Sequence, residues 1–192
     1  MNRLRRYGFL SLTFCVINLL ASSALAQANP RVRLNTSKGD VVLELYPQKA
    51  PQTVANFLQY VREKHYDGTL FHRVIDGFMI QAGGFTAEFQ QKTTRSPIAL
   101  EAGNGLKNDR GTVAMARTNA PNSATAQFFI NVADNLMLNA PNPDGYGYAV
   151  FGRVIEGMDT VEKIQRVPTG SKGPHQNVPV INVTIFKVTL EQ

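Results

Sequence analysis

The apolar positions after residue 30 follow mainly the two-residue period of β-strands. Val32 and Leu34 alternate with polar neighbours, residues 37–40 supply turn-forming side chains, and an apolar run rich in valine follows. This order predicts a β-hairpin over 32–46. Further short apolar runs between Gly, Asn or Pro predict strands at 71–75, 78–81, 98–100, 112–116, 127–132 and 149–154. A last strand, long or bulged, is predicted over 178–190.

Two segments follow the helical period instead. Over 50–65 the apolar residues recur at i, i+3, i+4 and i+7, as Val54, Phe57, Leu58 and Val61. His65 would end this helix, where a protonated imidazole suits the helix dipole. A second, short helix is predicted over 158–166. Many short strands and two helices indicate a mainly β protein, a closed antiparallel β-barrel whose ends the helices cap.

The first 26 residues differ from the rest of the chain. Three arginines, a mostly apolar run over 9–20 and the small residues 24–26 follow the order of a secretory signal peptide, with cleavage after Ala26. The alternative is a membrane anchor, but polar residues interrupt the apolar run, which is shorter than the roughly 20 residues of a span. A lipid anchor at Cys15 is disfavoured because bulky Phe14 precedes it. We therefore predict a cleaved signal peptide, 1–26, and one domain, 27–192, in the periplasm or secreted.

Removal of residues 1–26 changes the charge and the thiol content. The formal charge falls from +6 to +3, because three of the twenty Lys and Arg residues lie there and no acid does. A charge of +3 is too weak to indicate nucleic-acid binding. The single cysteine is lost too, which excludes thiol catalysis and Cys-ligated metals in the remaining domain. The histidines show no metal-ligand spacing, so no metal site is predicted.

Four segments together resemble the cyclophilins. They are TSKGDVVLELYPQKAPQTVANFLQYV at 36–61, FHRVIDGFMIQAGG at 71–84, AMARTNAPNSATAQFFIN at 114–131 and YAVFGRVIEGMD at 148–159. An ordered set over about residues 32–190 is far more specific than one short motif. The resemblance implies an eight-stranded barrel capped by two helices. It also implies peptidyl-prolyl cis-trans isomerase activity, without a cofactor, on proline-containing polypeptides.

The resemblance assigns roles residue by residue. Arg73 matches the catalytic arginine of the family, and Gln81 and Gln127 match polar groups near the substrate backbone. The apolar residues that match the floor and side of the proline pocket are Phe78, Met79, Phe129 and Leu138. Ala116 and Arg117 match the strand that pairs with the extended peptide, where many members have Asn at the second position.

Two further departures concern the rim of the pocket. Tyr148 stands where many eukaryotic members have His, and Met137 stands where the cyclosporin-sensitive members have Trp. The chain has no Trp at all. We therefore expect weak cyclosporin A binding and undiminished isomerase activity.

The chemistry needs no covalent step. The enzyme must favour the twisted amide over both planar forms, and a fixed donor at the proline nitrogen or the rotating carbonyl does so. Arg73 has several N–H donors and a permanent charge. Gln81 suits either of two roles, orienting Arg73 or the substrate carbonyl.

Other interpretations follow from single residues. Phe78, Met79 and Phe129 also suit an ordinary core, Gln127 and Asn131 suit a barrel rim, and His72 is interpreted as structural because strand neighbours point to opposite faces. A module that binds Pro-containing segments without turnover is the alternative function, and a role in adhesion has no specific support. We expect a monomer, and a loop over 139–147 that adjusts client choice.

Overall fold

The computed structural model describes residues 28–191. These residues form ten strands and two α-helices. The elements are β1 (Arg31–Thr36), β2 (Gly39–Leu45), α1 (Pro51–Arg62), β3 (Thr69–Ile75), β4 (Met79–Ala82), β5 (Thr112–Met115), β6 (Phe128–Asn131), β7 (Val150–Glu156), α2 (Met158–Gln165), β8 (Thr169–Lys172), β9 (His175–Pro179) and β10 (Thr184–Glu191). A short 3-10 helix occupies Leu136–Leu138.

Eight strands close into an antiparallel barrel in the order β1-β10-β3-β4-β6-β5-β7-β2. Closure leaves none of these strands with a free edge, which removes the exposed backbone groups that favour edge-to-edge association. The remaining two strands, β8 and β9, pair with each other as a separate two-stranded sheet. The predicted mainly β fold, with a closed eight-stranded barrel and two helices, is confirmed.

The main core fills the barrel interior and includes one face of each helix. Alternate residues of the strands point inward, such as Ile80, Phe128 and Ile130. Helix α1 contributes Phe57, whose ring lies 5.4 Å from that of Phe128, and α2 contributes Ile164. The residues between these positions point outward and are therefore available to form a site on the barrel surface.

Two predicted strands were wrong in detail, and one strand was not predicted. Residues 98–100 form no strand: Ile98 makes one isolated bridge, and the Leu100 amide donates to the Asn122 side chain. Residues 178–190 form two strands that belong to different sheets, because Pro179 ends β9 and Val180 is exposed. The strand β8 is fully exposed and has no apolar alternation, so the sequence pattern did not predict it.

Helix α1 ends at Arg62 and not at the predicted His65. Lys64 adopts a left-handed conformation (φ 54°), which turns the chain out of the helix. The His65 imidazole is buried, and its Nε2 donates to the Gly83 carbonyl at 3.2 Å. Burial lowers the pKa of His65, which disfavours the protonated imidazole that was expected at a helix end.

Within residues 28–191, no helix combines the length and the apolar character needed to cross a membrane. The same part of the chain holds no group of three or more His, Cys, Asp or Glu residues arranged to bind a metal ion.

Candidate active site

A pocket lies on the outer face of the barrel, over strands β4, β5 and β6. Because Ile80 and Phe128 point inward, Met79 and Phe129 point outward, where they meet Ala114. These outward side chains form a second apolar cluster with Leu138 and Val150, separate from the main core. The period of the strands thus places an apolar floor on the outside of the barrel.

The pocket has the size of a small ring. Its volume is about 170 Å³, roughly five to six times the ~30 Å³ that one water occupies in the liquid. That space suits a group of about five heavy atoms, such as a pyrrolidine ring. The lining residues are Arg73, Phe78, Met79, Gln81, Ala116, Arg117, Phe129, Leu138 and Tyr148.

One rim of the pocket carries a permanent positive charge. Arg73 is exposed on β3 and pairs with Gln81 across the β3–β4 ladder. Arg73 Nη1 lies 3.4 Å from Gln81 Oε1, and Gln81 Nε2 donates to Gln127 Oε1 at 2.9 Å. The chain of amides therefore fixes the carbonyl of Gln81 toward Arg73, and the guanidinium keeps free donors toward the pocket.

A buried cluster of three asparagines lies beneath Phe78 and Leu138, and the sequence predicted no such cluster. Asn131 donates to Asn108 at 3.2 Å and accepts from Asn135 at 2.7 Å. Asn135 also donates to the Phe78 carbonyl at 2.7 Å, and Asn108 donates to the Leu138 carbonyl at 3.2 Å. The cluster thus holds the backbone of two pocket residues. Asn108 and Asn135 lie in loops, and no sequence pattern distinguishes them from surface asparagines.

One wall of the pocket is made by Tyr148 and Arg117. The Tyr148 ring meets the Phe129 ring edge to face, with the centroids 5.7 Å apart. The Arg117 guanidinium carbon lies 4.5 Å from the centroid of the Tyr148 ring. The side chain of Arg117 is only 1% exposed. The guanidinium is engaged with protein groups and is not directed at solvent.

The structure brings most of the predicted site residues together. All of them line the pocket except Gln127 and Met137. Gln127 lies one hydrogen bond away, behind Gln81. Met137 is 65% exposed next to the pocket residue Leu138 and does not line the cavity.

A polar groove adjoins the pocket across Arg73 and Gln81. His72, Gln127 and His175 are among its lining residues. His72 lies at a bulge between Phe71 and Arg73, and its ring packs 4.7 Å from that of Phe85. The side chain is buried, which lowers its pKa to about 4. His72 is therefore neutral at physiological pH, in agreement with a structural role.

A closed eight-stranded barrel, with a small apolar pocket and an adjacent arginine on its outer face, is the architecture that the sequence resemblance predicts. Residues 31–189 match the family described as "Cyclophilin type peptidyl-prolyl cis-trans isomerase/CLD". The chain belongs to this family. The predicted family and its peptidyl-prolyl cis-trans isomerase activity are confirmed.

Bacterial relatives and a solved structure agree with this assignment. A peptidyl-prolyl cis-trans isomerase of Streptomyces antibioticus is 64% identical over 156 residues, which cover 80% of this chain and 94% of the relative. Peptidyl-prolyl cis-trans isomerase B of Escherichia coli K12 is 56% identical over 163 residues, 84% of this chain and 99% of the relative. A cyclophilin-type isomerase of Cryptosporidium parvum, solved in the presence of the dipeptide Ala-Pro, superimposes with a TM-score of 0.69 at 28% identity, over 84% of this chain and 99% of that chain.

Proposed function

We propose that this chain is an exported folding catalyst that rotates X-Pro peptide bonds in periplasmic or secreted polypeptides. The substrate class is supported by the ring-sized pocket and by the Cryptosporidium relative, which was crystallised with a proline dipeptide. Export is supported by the order of residues 1–26, which lie outside the described part of the chain. No cofactor or metal takes part in the proposed reaction.

The proposed mechanism is non-covalent. Rotation about an X-Pro bond is slow because amide resonance must be lost, at a cost of about 20 kcal/mol. In the twisted state the proline nitrogen regains a lone pair. Arg73 donates to it, or to the rotating carbonyl, while Phe129 and Leu138 grip the ring. The apolar floor lowers the local dielectric, which strengthens the interaction of the guanidinium.

The observation that carries the proposal is the position of Arg73. Its guanidinium is exposed at the rim of an apolar pocket, is held by Gln81, and makes no ion pair among residues 28–191. An arginine that is kept without an acidic partner beside an apolar cavity has its charge available for a substrate. Of the two roles that suit Gln81, we propose that it orients Arg73, because its carbonyl oxygen faces the guanidinium.

The test measures cis-trans exchange of an Ala-Pro-Phe peptide by NMR with residues 27–192. We expect Arg73→Ala to lower kcat/KM by about 10²–10³, as for the loss of one transition-state donor. Arg110→Ala is the matched control, because Arg110 pairs with Glu162 on the surface. A folded wild type that binds the peptide and does not accelerate exchange would instead support the alternative, a module that binds Pro-containing segments.

Export is tested separately from activity. The full chain, expressed in a Gram-negative host, is expected in the periplasm with Gln27 as its first residue. Deletion of residues 2–26 should retain the protein in the cytoplasm with unchanged activity. An uncleaved, membrane-bound product would overturn the proposed export.

Four further proposals concern partners. The closed barrel supports a monomer, which light scattering of the purified chain tests. The charge of +3 after residue 26 argues against nucleic acid as a partner, and loss of residues 1–26 argues against stable membrane association. Weak cyclosporin A binding is expected because Met137 stands at the position where sensitive members have Trp.

A further inference from the structure

Arg117 has the most buried charged side chain among the ion pairs of residues 28–191. Its side chain is 1% exposed, whereas the other paired side chains range from 27% to 71%. Burial of a guanidinium is costly unless the donors are satisfied by charged and polar partners. The partners of Arg117 therefore indicate what the residue does.

Nearly all of these partners lie in one segment, residues 139–148. Nη2 lies 2.7 Å from Asp144 Oδ2, and Nε and Nη2 donate to the Gly147 carbonyl at 2.9 and 2.8 Å. The guanidinium stacks on Tyr148 at 4.5 Å. The remaining donor, Nη1, binds the carbonyl of its own neighbour Thr118 at 3.0 Å. Hydrogen bonding from Arg117 also holds the pKa of Asp144 below its usual range.

The segment that Arg117 holds carries one wall of the pocket. Tyr148 lines the pocket, and its amide donates to the Leu138 carbonyl at 3.0 Å. The backbones of Gly147 and Ala140 are packed against each other, because a Cβ at Gly147 would lie 2.4 Å from the Ala140 amide nitrogen. Movement of the segment away from the barrel would therefore displace Leu138 and Tyr148 together.

We propose that Arg117 is a positioning residue of the isomerase. Its guanidinium, paired with Asp144, holds residues 139–148 against the barrel, so that Leu138 and Tyr148 complete the proline pocket. The Arg117 guanidinium binds the loop, whereas the Arg73 guanidinium is exposed at the pocket and makes no ion pair among residues 28–191. This inference rests on the proposed proline site. It gives the Arg117 side chain an indirect role, beside the pairing with the extended peptide that the resemblance implies for the strand of Ala116 and Arg117.

The experiment uses variants of the full chain and measures the exchange of an Ala-Pro-Phe peptide over a range of peptide concentrations. Arg117→Gln and Asp144→Asn are each expected to raise KM by about tenfold, the scale of a lost cation–π contact and one charged pair, with kcat changed by less than about twofold. The double variant should be no worse than Arg117→Gln alone, since both changes release the same segment. Arg117→Lys should recover part of the loss, because it keeps the charge but not the fork of donors.

The exposed pair Arg110–Glu162 supplies the controls. Arg110→Gln and Glu162→Gln remove an ion pair of similar chemistry away from the pocket, and both should leave KM unchanged. Thermal unfolding of each variant separates loss of fold from loss of position. Asp144→Asn remains informative if Arg117→Gln does not fold, because Asp144 is one-third exposed.

Three outcomes would overturn the inference. A loss in kcat at constant KM would show that Arg117 acts in the transition state. Additive effects of the two substitutions would show that Arg117 does not act through Asp144. Unchanged KM in both single variants would show that residues 139–148 keep their position without Arg117.

If the wild type proves inactive, peptide affinity from chemical-shift titration replaces KM. Failure of the proposed function is then distinguishable from failure of the positioning role of Arg117.

Discussion

Gly84 leaves just enough space for the side chain of Gln127. A Cβ at residue 84 would lie 2.5 Å from Gln127 Nε2 and 2.7 Å from its Cγ. Gln127 in turn accepts a hydrogen bond from Gln81, whose carbonyl faces Arg73. The absence of a side chain at Gly84 therefore determines, through two glutamines, how the arginine is held.

Substitution Gly84→Ala is expected to displace Gln127 and to loosen Arg73. We predict a drop in kcat/KM of about tenfold or more with a folded barrel, because small misplacements of a positioning group are costly in catalysis. The measurement is NMR exchange of the Ala-Pro-Phe peptide together with the circular dichroism spectrum.

Gly103→Ala is the control for this prediction. A Cβ at Gly103 meets nothing within 4 Å, and this glycine has no left-handed backbone. Equal activity of Gly84→Ala and wild type would show that Gln127 has no part in holding Arg73.

The asparagine cluster under the pocket is predicted to stabilise the fold as well as the site. Asn131 is fully buried and bonds to Asn108, Asn135 and Thr112. Asn131→Ala leaves several buried groups without partners, which should lower the free energy of unfolding by about 2–4 kcal/mol. Urea denaturation measures this loss.

The comparison for Asn131 is Asn182→Ala. Asn182 is exposed and makes one side-chain bond, to the Ala87 carbonyl at 3.2 Å. Its loss should change the free energy of unfolding by less than about 0.5 kcal/mol. Similar effects of both substitutions would mean that the cluster is not a stabilising network.

The barrel was predictable because apolar and polar residues alternate along several of its strands. Val32 and Leu34 alternate with polar residues, and the structure buries both completely. The exposed strand β8 carries no such alternation, and it pairs with β9 without burying a side chain of its own. At Ile98, a short apolar run is satisfied by one bridge and a side-chain bond, which the local pattern cannot reveal.

The site was predictable only as far as the family motif reaches. The motif supplied Arg73 and the apolar floor. Asn108 and Asn135 are missing from that prediction because they approach Asn131 only after folding, and a loop asparagine is usually exposed. The direction of the Arg117 side chain, toward the loop, depends on Asp144 and Tyr148, which lie 27 and more residues further along the chain.

The buried His72 is predicted to make the fold sensitive to acid. Burial, with smaller effects of His175 and Arg73, lowers its folded pKa from 6.5 to about 4. Above pH 6.5 neither state binds the proton, so His72 adds no pH dependence. Between pH 6.5 and 4 only the unfolded chain binds it, so the free energy of unfolding falls as the pH falls, by up to about 3 kcal/mol.

Substitution His72→Phe should remove that part of the pH dependence. Phe is apolar and suits a site beside Phe85, and the His72 Nδ1 has no hydrogen-bond partner among residues 28–191. Urea unfolding at several pH values should give a shallower slope for the variant. His65 and the carboxyls of lowered pKa, such as Asp144, account for the residual slope. Titration of the His72 ring by NMR with a midpoint near pH 6.5 would contradict the prediction.

Cyclosporin A affinity is predicted to depend on Met137. This side chain is 65% exposed beside Leu138, so a larger ring there does not disturb the core. The ring also offers a ligand more apolar surface to bind. The wild type should bind cyclosporin A more weakly than nanomolar, and Met137→Trp should tighten binding by about tenfold, the scale of one buried aromatic anchor at an interface. The chain has no other Trp, so the new indole reports binding through its own fluorescence.

Met137→Ala separates the gain of the indole from the loss of Met, and should not tighten binding. Nanomolar affinity of the wild type, or equal affinity of the Trp and Ala variants, would show that the drug does not depend on this position.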